Sequence, residues 1–386
     1  MLTTLAVIIH ARLWFGPAHP GGVIEPVGNV LFMAAFPGWV AATLLEGWKA
    51  RHELGWTVFA YGVSFAGWIL LFAIVWRIRG ALAHPTRTKD DHPTDPRRRK
   101  LLVNGAFGGV MVCGGGAAAA PVVVNPYDLR VTRYRVAIKN LPRGFDGFRF
   151  AIVADTHLGS RVPGWHVQQA VRAAIDLNPD AFLLLGDHIQ DGTDRIDEAA
   201  QLIRPLVDTG KPVLGVLGNH DWYGDGVLMA RALRSVGVTM IDNTRRFLMP
   251  GGTLLPEHFD GAICIAGVGD LETDSVEPDR AFRGVPSNTS RILLAHNPDT
   301  AETPTFHSAD SPRVDLMLSG HTHGGQVRLP FIGAPIVPSR YGQKYAEGLV
   351  QGPKFPVLIS RGIGVSGLPI RIGVPPEVIE LTITSV

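Results

Sequence analysis

The chain has 386 residues, enough for more than one domain and for a full hydrophobic core. Its 36 Lys+Arg nearly balance 34 Asp+Glu, leaving a net charge of +2, so there is no general basic field of the kind that binds nucleic acid. Cys113 and Cys264 are the only cysteines, which excludes a disulfide framework and cysteine-ligated zinc or iron–sulfur centres.

Charge is spread unevenly. Up to Trp76 only Arg12, Glu25, Glu46, Lys49, Arg51 and Glu53 are ionised, far below the roughly 25% of charged residues usual in soluble domains. This composition predicts an all-α transmembrane region over residues 1–124. Residues 56–76, WTVFAYGVSFAGWILLFAIVW, carry no charge and have tryptophan at both ends. They are long enough to cross a hydrocarbon core of about 30 Å, so they predict a transmembrane helix. Residues 27–45 form a second uncharged segment, kinked at Pro37-Gly38. Residues 1–15 are shorter and carry His10 and Arg12; they either span, lie in the interface or begin as a signal anchor.

The loop 77–100 holds Arg77, Arg79, Arg87, Lys89, Arg97, Arg98, Arg99 and Lys100. The positive-inside rule places such a loop on the cytoplasmic side, and a reading as a lipid-headgroup patch shares that placement. Residues 101–124 are uncharged and rich in glycine. If they span, everything after Asn125 is extracytoplasmic and the protein is a multi-pass protein of the cytoplasmic membrane. The run Arg98-Arg99-Lys100-Leu101-Leu102, with alanines before Pro121, also reads as an internal twin-arginine export signal followed by a cleavage region.

From residue 125 the composition changes to that of an α/β domain. Six apolar runs read as buried strands, namely FRFAIVAD, AFLLLGD, VLGVLGN, ICIAGVGD, RILLAHN and VDLMLSG. Helix-like stretches lie between the first several, at residues 164–177, 194–209 and 226–236. Such alternation predicts sheets covered by helices, with chemistry at the carboxyl ends of the strands. The later strands are more closely spaced and turn-rich, which points to mixed sheets, with two sheets face to face one arrangement that fits.

The strand ends carry the chemistry. In order they are Asp155-Thr156-His157, Gly186-Asp187, Gly218-Asn219-His220-Asp221, His296-Asn297 and Gly320-His321-Thr322-His323. One Asp or Asn after a strand is ordinarily a turn former or cap, and one His ordinarily a hydrogen-bonded structural residue. Five such ends in one domain argue against coincidence. Carboxylate, imidazole and amide without thiolate suit Mn, Fe, Zn or Ni in a catalytic site rather than a structural zinc.

The series D-x-H, G-D, G-N-H-D, an isolated H and G-H-x-H resembles the calcineurin-like metallophosphoesterase superfamily over residues 148–327. The ending SRGIGVSGLPIRIGVPPEVIELTI, with GHTHGGQVRLP, is similar to its membrane-associated, YkuE-like bacterial branch. The resemblance implies a four-layer α/β (α+β) fold for residues 125–386, two mixed β-sheets flanked by helices. It also implies two divalent metal ions, the first held by Asp155, His157, Asp187 and His323, the second by Asp187, Asn219, His296 and His321. His220 matches a histidine that faces substrate without ligating, and Asp221 matches the carboxylate that orients it. His188 departs from the family, which carries an apolar or aromatic residue there; it either packs or touches substrate.

The activity so implied is hydrolysis of a phosphodiester or phosphomonoester by a metal-bridging hydroxide. A tether brings lipid-linked or cell-envelope substrates within reach. If residues 101–124 do not span, a UDP-2,3-diacylglucosamine-type pyrophosphate hydrolase at the cytoplasmic face is the alternative. A non-catalytic sensor of a phosphorylated ligand is the reading from another class, opposed by the complete set of competent side chains. Arg340, Lys344 and Arg361 are candidate phosphate contacts, while His166, His258 and His307 match no motif and are expected at the surface or in caps. The G-x-G-x-x-G at residues 362–367 is followed by prolines rather than a helix, so it does not read as a dinucleotide site.

Overall fold

The computed structural model describes residues 126–329, 332–367 and 369–386. The transmembrane segments, the basic loop and the export-signal reading all lie outside the described residues. Among the described residues no helix is long and apolar enough to cross a membrane.

In chain order the elements are β1 (Arg130–Ile138), β2 (Arg149–Val153), α1 (Gly164–Asp176), β3 (Ala181–Leu184), α2 (Ile196–Asp208), β4 (Val213–Gly215), α3 (Asn219–Gly224), α4 (Gly226–Ser235) and β5 (Thr239–Met240). There follow β6 (Thr244–Leu248), β7 (Leu254–Leu255), β8 (Ile263–Gly267), α5 (Pro278–Ala281), β9 (Arg291–Leu294), α6 (Pro304–His307), β10 (Leu316–Ser319), β11 (Gly348–Gln351), β12 (Pro356–Ile359) and β13 (Glu377–Ser385). The six apolar runs form β2, β3, β4, β8, β9 and β10, and the three helix-like stretches form α1, α2 and α4.

Two mixed sheets result, ordered β1-β13-β2-β3-β4-β5 and β11-β12-β10-β9-β8-β6-β7. In the first, β2 to β5 are parallel, joined by helical crossovers, while β13 runs antiparallel to β2. In the second, β8, β9, β10 and β12 are parallel, with antiparallel strands outside them. The edge strand β1 and its partner β13 were not among the expected runs. They pair in parallel over their whole length, from Arg130↔Glu377 to Ile138↔Ser385. The arginines of β1 keep this exposed edge polar.

Alternation of side chains along each strand separates the cores. Phe150 and Ile152 of β2 face the second sheet, with Leu183, Ile292, Leu294, Leu318 and Leu381. Ala151 and Val153 face α1, α2 and α4, with Val167, Ile203, Leu206 and Leu233. The outer face of the second sheet is covered more thinly, by α5, α6 and short turns that bring in Phe306 and Tyr345. Both faces of the central strands are thus buried, which is why they read as unbroken apolar runs.

Candidate metal centre

Each expected ligand stands two to four residues past a strand end, where the chain must turn sharply. Asp155, His157, Asp187, His321 and His323 all have φ between 45° and 70°. Non-glycine residues seldom hold that left-handed conformation, and its clustering marks backbone strain kept where function needs it. Glycines let neighbouring segments close in. A Cβ at Gly320 or Gly362 would strike the Asp155 carboxylate, and one at Gly218 would strike that of Asp187.

The five loops converge. The His321 N–H donates to Asp155 Oδ1 at 2.7 Å, joining the first sheet to the second. His157 Nε2 lies 2.9 Å from His323 Nε2. Asp187 Oδ2 lies 3.4 Å from His157 Nε2 and 3.1 Å from His296 Nε2, so one oxygen reaches both groups. Asn219 Oδ1 is 3.0 Å from His321 Nδ1. Ligand atoms within 4.8 Å of one another define three sets: Asp155, His157 and His323; Asp187, His296 and His321; and His157, Asp187 and His220. Asp155 Oδ2 is buried with no hydrogen-bond partner. An oxygen so placed is costly unless a cation takes it, and the donor set fits divalent metal.

The family model for calcineurin-like phosphoesterases matches residues 148–325. Over 295 residues the chain is 31% identical to the metallophosphoesterase YkuE of Bacillus subtilis (strain 168), covering 74% of this chain and 98% of that one. The chain belongs to the calcineurin-like metallophosphoesterases. It is also 31% identical over 238 residues to the phosphodiesterase YaeI of Escherichia coli (strain K12), covering 61% of this chain and 81% of that one. A transmembrane protein with a metallophosphoesterase domain from Danio rerio is 28% identical over 269 residues, covering 66% of this chain and 57% of that one. The enzyme is accordingly a metal-dependent phosphoesterase.

Protonation in this metallophosphoesterase divides the candidate ligands. Burial pushes His157 down to about 3 and His321 down to about 4, the latter helped by the charge on His296, and it holds His323 well below the usual imidazole range. All three are therefore neutral at neutral pH, the form that offers a lone pair to a metal. Burial also raises Asp155 to about 7, against the pull of His296. Burial opposes charge on His296 and Asp187 too, but their contact wins: it holds the imidazole well above its usual range and the carboxyl well below.

Two expectations are corrected. Asp221 does not orient His220. From the first turn of α3 its carboxylate points back to the strand ends, accepting the N–H groups of His188 at 2.8 Å, Ile189 at 3.3 Å and Gly218 at 3.0 Å, with His188 Nδ1 at 3.0 Å. His188 thus packs between the β3 and β4 loops as the partner of Asp221. His220 Nδ1 instead donates to the Gln190 carbonyl at 2.5 Å, and its Nε2 faces Ser366 Oγ at 3.4 Å. His166, expected at the surface or in a cap, is fully buried, with Nε2 at 3.1 Å from the Ile363 carbonyl. Of the candidate phosphate contacts, Arg361 pairs with Glu377 and Lys344 with Glu302, while Arg340 is exposed.

Two residues escaped the sequence reading. Arg371 is fully buried behind the ligands. Its guanidinium donates to the carbonyls of Arg361, Gly362, Gly364 and Val374, and Nη2 lies 3.2 Å from His323 Nδ1. The available signal was an arginine set between Ile370 and Ile372. Glu272, past the end of β8, has Oε1 3.6 Å from His321 Nε2 and accepts from Asn297 Nδ2 at 3.4 Å. Nothing local in its sequence marks it.

Proposed function

We propose that residues 125–386 hydrolyse a phosphodiester or phosphomonoester with two divalent cations, and that the apolar segments before them hold this domain at the cytoplasmic membrane, on its outer side. One observation carries the two-ion reading: Asp187 Oδ2 is in reach of His157 on one side and His296 on the other. Asp155, His157 and His323 would hold one ion, Asn219, His296 and His321 the other, with Asp187 between. Bound there, the ions supply Lewis acidity and lower the pKa of water toward neutrality.

The chain supplies the rest. The Gln190 carbonyl fixes the ring of His220 through Nδ1, so that in the imidazolium form Nε2 can give its proton to the departing alkoxide. The neutral amide of Asn219 keeps the site more positive than a carboxylate would, which favours an anionic substrate. Likeness to a protein named a phosphodiesterase supports the diester. The uncharged run at residues 56–76 supports the tether, as does likeness to a protein named transmembrane; the basic loop 77–100 supports the outward placement.

The test uses the full chain in detergent with Mn, assayed on bis-p-nitrophenyl phosphate and p-nitrophenyl phosphate while bound metal is counted. Hydrolysis with two ions per chain is expected; two ions with turnover of neither substrate overturns the catalytic reading. A reporter fused after Val386 that is active only in the cytoplasm overturns the placement.

A further inference from the structure

The chain enters the catalytic unit beside the metal centre. The Arg130 N–H donates to the Pro376 carbonyl at 2.8 Å, and the Glu377 N–H to the carbonyl of Gly362, the residue that abuts Asp155. Just before this entry the Tyr127 ring lies 5.0 Å from that of Trp165, and its hydroxyl donates to the Arg161 carbonyl at 2.9 Å. Trp165 is 55% exposed, although the next residue, His166, is buried against Ile363.

The loop that follows His323 reaches the same end of the sandwich. Its near part is tied to the segment behind the ligands: the Arg328 N–H donates to the Ile372 carbonyl at 2.7 Å, and the Ile372 N–H to that of Gln326 at 2.8 Å. Leu329 and Gly333 exchange backbone bonds in a tight turn. Its far part is tied to the His296 loop, where Asp299 accepts the Ser339 hydroxyl at 2.5 Å and the Arg340 N–H at 2.7 Å. On this loop, held between two ligand segments, Ile336 is 80% exposed, Ile332 58% and Tyr341 44%, and Pro335 and Pro338 are exposed as well. Arg340 is exposed beside them, with no ion pair among the described residues.

Apolar side chains gathered on a braced loop next to a catalytic centre mark an interaction surface. What covers it follows from where the chain comes from. Residues 101–124 are uncharged, and the first described residues of the catalytic unit lie at its site end. Aliphatic, tryptophan and tyrosine side chains with an adjacent arginine are the set that a headgroup interface accepts. We propose that the 332–341 loop and Trp165 dock on the lipid surface, so that the ligand loops open at the headgroup layer and the substrate is a phosphate ester carried in that layer. The proposal rests on the phosphoesterase reading and on the tether.

The test places an environment-sensitive fluorophore on Ile336→Cys in the full chain, with Cys113→Ala; Cys264 is buried. A second label at Arg204→Cys, on the far end of α2, is the control. In phosphatidylethanolamine–phosphatidylglycerol vesicles the label at 336 is expected to shift to the blue, to lose most of its emission to doxyl lipids and to resist iodide, while that at 204 does none of these. Equal iodide access at both positions overturns the proposal. So does a dry label that doxyl lipids leave untouched, which would mean a protein partner or a second copy. Bis-p-nitrophenyl phosphate hydrolysis by the same protein separates the two readings: turnover with a wet label removes docking and keeps the enzyme.

Discussion

The two ligand groups share Asp187 but are walled differently. Asp155, His157 and His323 are sealed, with exposures of 0%, 1% and 3%, behind the 361–364 segment and the guanidinium of Arg371. Asn219, His296 and His321 are themselves buried, at 3%, 0% and 8%, but they lie beside the half-exposed carboxylate of Glu272 and the exposed Tyr223, whose hydroxyl accepts from Asn219 Nδ2 at 3.1 Å. On the two-ion reading, the sealed group, walled by Arg371 and the 361–364 segment, would keep its ion, and the open group, beside Glu272 and Tyr223, would be where a substrate oxygen arrives.

The largest effect should come from the residue both groups use. Asp187→Asn is expected to remove both ions and to reduce hydrolysis to background, read by metal analysis and by turnover of bis-p-nitrophenyl phosphate. If one ion stays fully bound, the groups are not joined through this carboxylate. Next is His220→Ala, expected to lower turnover by about 10²–10⁴-fold, the usual worth of a positioned acid–base group, with metal content unchanged. His220 can also be grouped with His157 and Asp187 by its ligand atoms. Metal loss equal to that of Asp187→Asn would make it a ligand and redraw the boundary between the two groups.

The candidate ligands could be picked out because their loops follow directly on strand-like runs rich in apolar residues: Asp155 after FRFAIVA, His296 after RILLA, His321 after VDLMLSG. Local sequence fixes a strand, and the turn at its end must carry polar groups. The walls were not legible. Arg371 lies 48 residues beyond His323 and meets it only because β13 closes the first sheet between β1 and β2. The partnership of Asp221 with His188, not its neighbour His220, follows from the direction of a helix first turn. The strands β1 and β13 themselves gain their meaning from pairing with each other, a contact no window of sequence contains.

Arg371 sharpens the contrast from the sealed side. Arg371→Lys keeps the charge but loses the fork that holds four carbonyls and faces His323. Groups behind a metal ligand are commonly worth about 10–100-fold in affinity. The variant is expected to release one ion to chelator faster by that order, while the other leaves at the original rate and kcat at saturating metal stays close to that of the parent. Equal acceleration for both ions would mean that Arg371 supports the whole loop cluster and not the sealed group.

Glu272 tests the open side and should have the smallest effect. Its carboxylate is half-exposed, so water screens it, and a charge of this kind is worth about 0–1 kcal/mol. Lying 3.6 Å from His321, it favours a cation at the open group and opposes an arriving phosphate. Glu272→Gln removes both influences and keeps the amide within reach of Asn297. KM for an anionic diester at saturating metal should then fall by about two- to fivefold, with retention of the sealed ion unchanged. A rise in KM would show instead that Glu272 holds the ion on which the substrate lands, and a faster loss of the sealed ion would show that the two groups are not walled apart.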